Sequence, residues 1–198
     1  MPNSVWLAVA AIAVLAGVAV YLRRNRGEHP MPDILRPGKP LPEFRALDEQ
    51  GNPMRSTQLV GSASVILFVR GGWCPFCNAQ VEKLTSYYRD IVDLGAKLII
   101  VTPKPLQTTR RVASFFEVEF DFWLDDSLEA AEKLGLLHRT AVPNSYRTEY
   151  GSDTVWPTAL VVDRSGIITY TELSKHISDR PDPEALVNVL RKLQEPGR

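Results

Sequence analysis

The 198 residues carry 23 basic and 23 acidic side chains, 44% apolar residues, two cysteines and three histidines. That length suits one domain with an appendage, the charged fraction of 23% excludes a disordered chain, and zero net charge argues against a nucleic-acid partner. Two cysteines exclude a multi-bridge secreted scaffold and a four-thiolate zinc centre.

Every Asp, Glu, Lys and Arg lies beyond residue 22. Val5 to Leu22 is an apolar run which, as a helix, spans ~27 Å against the ~30 Å of a hydrocarbon core. Trp6 and Tyr21 stand at its ends, where interfacial aromatics sit. A cleaved signal peptide, cut near Gly17 and Ala19, competes with this reading. The length of the run and the lack of a preceding Lys or Arg favour an uncleaved anchor over residues 1–22. Arg23, Arg24 and Arg26 follow it, with Arg36 and Lys39 beyond, so the positive-inside rule places the following domain on the cytoplasmic side of a cell membrane. An extracytoplasmic face is the more usual setting for an anchored dithiol domain.

Residues 23–43 hold five prolines and read as a tether to a domain over residues 44–198. Phe44 to Leu47 and Met54 to Thr57 are expected as short strands around the turn Gln50-Gly51-Asn52. Ser64 to Val69 is a continuous β-branched and aromatic run, the pattern of a strand buried on both faces. Val81, Leu84, Tyr88 and Ile91 recur at helical spacing within a helix expected over 75–94, with Gly95 beyond it. Lys97 to Val101 is a second buried strand. Helix 107–117, strand 120–124 and helix 127–134 follow, the last with Ser127 as its N-cap. Residues 136–156 read as loop. Ala159 to Val162 and Ile167 to Thr171 flank a turn at 163–166 as a hairpin. A closing helix from Asp182-Pro183 turns Leu186, Val189, Leu190 and Leu193 inward. Strands alternating with helices indicate an α/β sandwich around a central mixed sheet.

The chemistry centres on Cys74 and Cys77, a C-x-x-C between a buried strand and the start of a helix. The unpaired N–H groups there favour thiolate over thiol and can draw a cysteine pKa into the range ~3.5–7.5. Cys74 is expected as the exposed nucleophile. Cys77, on the same helix face, lies within disulfide reach and can resolve an adduct on Cys74. Pro75 is tolerated in the first turn, and Arg70 can add positive charge. Half a zinc site and two inert buried cysteines are the alternatives. No second C-x-x-C is present, and His29, His138 and His176 stand in unrelated contexts, so no metal is expected. The two lone histidines His138 and His176 read as surface residues.

Around these residues the chain resembles the peroxiredoxin-like branch of the alkyl hydroperoxide reductase / thiol-specific antioxidant family, within the thioredoxin-like superfamily. The likeness is carried by residues 37–84, the aspartate-then-helix segment 122–136, the Pro-Thr strand and hairpin 156–170, and the closing helix 180–190. It implies a thioredoxin-like sandwich, with Cys74 as the attacking and Cys77 as the resolving cysteine. It further implies that Pro157 is a cis-proline facing the pair, that Trp156 presents its backbone to substrate, and that Trp73 walls the site. The sequence departs from the family at two positions. Gly71 stands where a threonine or serine usually precedes the reactive cysteine by three residues, and Leu67 where a proline precedes it by seven. Arg70 or Arg180 could compensate by stabilising charge on a peroxide oxygen, although a solvent-facing arginine is the plainer reading of Arg180.

The expected function is a membrane-anchored thiol oxidoreductase that reduces peroxides, without a cofactor, and is recharged by a thiol reductant system. A protein disulfide reductase and a redox-switched binding module are the alternatives. No glycine-rich phosphate loop is present.

Overall fold

The structure, a computed structural model, describes residues 14–17, 29–104, 120–176 and 178–194. Val14 to Gly17 are helical, but the rest of the apolar run, and the helix expected over 107–117, lie outside the described residues. No helix among the described residues is long and apolar enough to cross a membrane.

Nine strands are described: β1 (Arg45–Leu47), β2 (Pro53–Arg55), β3 (Ala63–Phe68), β4 (Ala96–Thr102), β5 (Asp121–Leu124), β6 (Leu137–His138), β7 (Thr154–Val155), β8 (Thr158–Val162) and β9 (Ile168–Leu173). Seven of them form one mixed sheet in the order β2-β1-β5-β4-β3-β8-β9, while β6 and β7 form a small antiparallel pair. The centre is parallel, β3 against β4 and β4 against β5, and β8 runs antiparallel to β3. All six residues of β3 are buried, as expected for a strand covered on both faces.

Alternation along these strands builds two cores. Val65, Leu67, Ile100 and Ala159 face helices α1 (Pro75–Thr85), α2 (Tyr88–Asp93) and α5 (Pro183–Gln194). Ile66, Phe68, Ile99 and Leu160 face Leu35, Phe44 and α3 (Glu129–Lys133) on the other side. A single helix over 75–94 does not form. Thr85 turns its hydroxyl back onto the Glu82 carbonyl at 2.7 Å, and the next amides take three-residue bonds, Ser86 to Lys83 and Tyr87 to Leu84. This tightening ends α1 and starts α2. Ser127 does not cap α3. The Asp125 carboxylate takes the Ala130 and Ala131 amides at 3.0 and 2.8 Å, two donors that a helix start leaves open. In α5 Leu186 and Leu190 are buried and the partly buried Val189 packs on the same core, as expected; Val187 is buried with them, and Leu193 is exposed.

The described part of the proline-rich stretch is docked against the domain. Leu35 is fully buried, and residues 38–41 pair with the start of β9 through Gly38 N–H to Ile168 O at 2.7 Å, Ile168 N–H to Lys39 O at 2.8 Å and Leu41 N–H to Gly166 O at 2.8 Å. This covers an edge strand whose backbone would otherwise stand open. The region 136–156 contains β6, β7 and a short helix α4 (Arg147–Tyr150), which lies beside the dithiol.

Candidate active site

The site forms where β3 ends. Val69 still donates to Val101 O at 2.9 Å, after which the chain turns through Gly71, at φ +118°, and enters α1 with Cys74 as N-cap and Pro75 behind it. Thr154 Oγ1 holds the Arg70 carbonyl at 2.9 Å, and Asn78 Nδ2 holds the Gly72 carbonyl at 3.0 Å, so the turn is fixed from both sides. A position at the carboxyl ends of parallel strands is where open α/β sheets place their reactive crevice.

Both cysteines are free thiols, and both are buried. Cys74 is thus covered, contrary to expectation, because Arg180 from the loop before α5 lies on it. The Arg180 Nη2 stands 3.3 Å from Cys74 Sγ and 3.0 Å from Cys77 Sγ. The Arg70 amide donates to Cys77 Sγ at 3.4 Å. These contacts set the two sulfurs apart. The hydrogen bond from the Cys77 side chain draws the Cys74 pKa down from 9.0 to about 6, helped by the Cys77 amide, Arg180 and Arg70 against the opposing effect of burial. Burial first, and then the hydrogen bond to Cys74, push the Cys77 thiol well above its ordinary range. At neutral pH the pair is a thiolate accepting from a thiol.

Arg70 contributes from beneath. It is almost wholly buried, donates Nη2 to Ala141 O at 2.7 Å, and lies 4.5 Å from the centre of the Trp73 ring. Trp73 stacks on Tyr146 at 6.1 Å and forms a wall of the site. One expectation fails at 156–157. No cis peptide bond occurs among the described residues, so Pro157 follows the trans bond that X-Pro also prefers. The Trp156 backbone is already engaged, its N–H with Leu136 O at 2.6 Å and its carbonyl with Thr158 Oγ1 at 2.9 Å. Its ring lies between His29, stacked at 5.1 Å, and His138, tilted against it at 4.1 Å. His138 is therefore half-buried, and burial, with Arg70 and His29 nearby, lowers its pKa to about 4.

Sequence reasoning undervalued Arg180 and passed over Tyr150. The Tyr150 ring fills the space above Gly71: a Cβ there would stand 2.8 Å from Tyr150 Cε1. The Tyr150 hydroxyl takes a hydrogen bond from the Gly72 backbone. Tyr146 and Tyr150 are four residues apart, a helical spacing inside the supposed loop that could have marked them. A cavity of about 540 Å³ between Leu94, Arg164 and Leu190 lies at the opposite end of β3 and has no link to the dithiol. A smaller one of about 360 Å³ borders Arg180. No cluster of potential metal ligands occurs among the described residues.

A mixed sheet between two helical layers, with a C-x-x-C at the mouth of the first long parallel strand, defines a thioredoxin-like dithiol protein. The family model described as AhpC/TSA matches residues 37–171, and the chain belongs to that family; it is a thiol-dependent oxidoreductase of the antioxidant type. Solved structures share the fold at low identity. A peroxidoxin BcpB from Mycobacterium tuberculosis is 16% identical with a TM-score of 0.64, over 81% of this chain and 99% of its own. A thiol peroxidase from Chromobacterium violaceum is 18% identical with a TM-score of 0.63, over 82% and 90%. A putative thiol:disulfide interchange protein DsbE from Chlorobium tepidum is 18% identical with a TM-score of 0.56, over 80% and 98%. No curated protein matches the sequence.

Proposed function

We propose that the protein reduces peroxides through a Cys74–Cys77 dithiol cycle. The observation that carries this reading is the paired opposite titration of the two sulfurs under one arginine. The Cys74 thiolate attacks the O–O bond, forming an S–O bond as the O–O bond breaks. The departing oxygen leaves as water or alcohol after taking a proton, and Cys74 becomes a sulfenic acid. Arg180, with Arg70 behind it, is placed to stabilise charge on that oxygen. Cys77 then attacks the sulfenic sulfur, water leaves, and the disulfide closes. A thiol reductant restores the pair by exchange.

Stopped-flow mixing of the reduced chain with hydrogen peroxide tests this, with tryptophan fluorescence as reporter because Trp73 sits beside the site. Oxidation orders of magnitude faster than that of a free thiol, and lost in Cys74→Ser, is the expected result. A rate no better than a free thiol removes the peroxidase.

A second reading, reduction of protein disulfides, is favoured by one feature: Gly71 offers no hydroxyl to orient a peroxide, and Tyr150 occupies its place. In that case Cys77→Ser traps mixed disulfides on Cys74. The anchoring of the domain by Val5 to Leu22, with the dithiol on the cytoplasmic side, belongs to the same proposal and rests on the apolar run and the arginines after it. Release of the full chain from membranes by alkaline carbonate would overturn it.

A further inference from the structure

The chain meets the folded domain at the same end as the dithiol. His29 donates Nε2 to the Gly135 carbonyl at 2.6 Å and stacks on Trp156 at 5.1 Å. Thr154, two residues before Trp156, holds the Arg70 carbonyl in the turn that carries Cys74. From His29 the docked segment descends along β9, with the Leu35 carbonyl on Thr171, Gly38 and Lys39 beside Ile168, and Leu41 beside Gly166 at the opposite end.

The length of chain before His29 restricts which way the domain can face. Only residues 23–28 separate it from the apolar run Val5 to Leu22. The steps from Leu22 to His29 reach at most ~25 Å when fully drawn out. Arg23, Arg24 and Arg26 are attracted to anionic headgroups, and with Arg26 held there the reach to His29 is ~11 Å. β3 alone separates the two ends of the sheet by ~17 Å. An anchor over Val5 to Leu22 therefore keeps the dithiol end near the bilayer and the opposite end away from it.

The side chains at that end suit such a surface. Phe76, two residues after Cys74, and Tyr146, stacked on Trp73, are 44% and 43% exposed. Trp156 donates its indole N–H to the Ser174 carbonyl, and the loop from there to Arg180 exposes Lys175 and His176. The carboxylates of this loop are engaged, Asp179 with the His176 amide and Asp182 with Lys83. Exposed aromatic rings with cations beside them are the mixture that settles at headgroup level.

We propose that the dithiol end of the domain docks on an anionic bilayer surface, with Phe76 and Tyr146 among the headgroups and Lys175 on lipid phosphate. The inference rests on the anchor read from Val5 to Leu22 and adds the direction in which the domain faces. The dithiol then meets substrate that arrives along the membrane.

The test places the photo-crosslinker p-benzoylphenylalanine at Phe76 or Tyr146, where it keeps an exposed aromatic ring. Val60, beside the turn at Gly166, and Leu193, on the cavity near Arg164, are exposed positions at the opposite end and serve as controls. The full chain is reconstituted in vesicles of phosphatidylcholine and phosphatidylglycerol, and an aliquot is washed in alkaline carbonate. A chain that leaves the vesicles overturns the anchor and this orientation with it. In a chain that stays, illumination is expected to give lipid adducts from Phe76 and Tyr146 and none from Val60 or Leu193. Adducts from both ends equally, from the opposite end alone or from neither overturn the orientation and leave the anchor standing. So do adducts that join Tyr146 to a second copy of the chain in place of lipid. In phosphatidylcholine alone the yield is expected to fall, and an equal yield overturns the choice of an anionic surface.

Discussion

Two thiols three residues apart titrate in opposite directions because one accepts and the other donates. Cys74 collects a thiol hydrogen bond, an amide and two guanidinium charges, whereas Cys77 is more deeply desolvated and gives its proton towards its neighbour. Alkylation of Cys74 by iodoacetamide is therefore expected to rise with pH through a midpoint near 6, far below the ordinary thiol at 9.0. A cation favours the charged form, so removing one must move the midpoint upward. Arg180→Met, which deletes a guanidinium 3.3 Å from Cys74 Sγ, should raise it by about one pH unit, equivalent to ~1.4 kcal/mol. An unmoved midpoint would show that Cys77 and the helix start suffice. In sequence Arg180 stands 106 residues from Cys74 in a loop, and nothing local says which way such a side chain turns. Its flanks did carry a clue. Pro181 and Pro183 fix the backbone on both sides of Asp182, which suits a loop that must hold an arginine in place.

At the scale of elements, the turn between β3 and α1 explains why the family's usual hydroxyl is missing. Gly71 sits at φ +118°, a region that other residues enter at a cost of ~1–3 kcal/mol, and Tyr150 of α4 occupies the volume a side chain would need. Gly71→Thr is thus expected to destabilise the protein by at least that amount in urea unfolding and to leave peroxide oxidation no faster. Adding Tyr150→Ala should recover part of the stability by removing the clash but not the backbone strain. Faster oxidation in the single variant would mean that the turn can rebuild itself. The strands were legible because a run such as Ser64 to Val69 has few other ways to bury itself, and the C-x-x-C was legible because its chemistry depends on a local helix start. The break between α1 and α2 was not. It depends on where the Thr85 hydroxyl bonds, and the 3.6-residue stripe runs straight through it. Nor was the use of Trp156, whose N–H is taken by Leu136 from another segment while its carbonyl accepts from Thr158 two residues on.

For the whole molecule, the docked segment before β1 enlarges the folded unit beyond the domain that proline content suggests. Proline-rich chain is extended, as expected, but extended chain can also pair with an open edge, and Leu35 supplies an apolar anchor for it. Leu35→Ala is expected to cost ~2–5 kcal/mol, the range for emptying a fully buried leucine site. A loss within ~0.5 kcal/mol, the range of surface substitutions, would show that the segment peels away without consequence. The thiolate at Cys74 has an effect at this scale as well. The chain balances 23 basic against 23 acidic residues, so at pH 8 the Cys74 thiolate adds a full negative charge to a protein otherwise close to neutral, and closing the disulfide removes it. The two redox forms should therefore separate in a native gel at that pH, the reduced form running further towards the anode, and Cys74→Ser should collapse them into one band. Redox state becomes electrophoretic mobility, readable without label, substrate or partner.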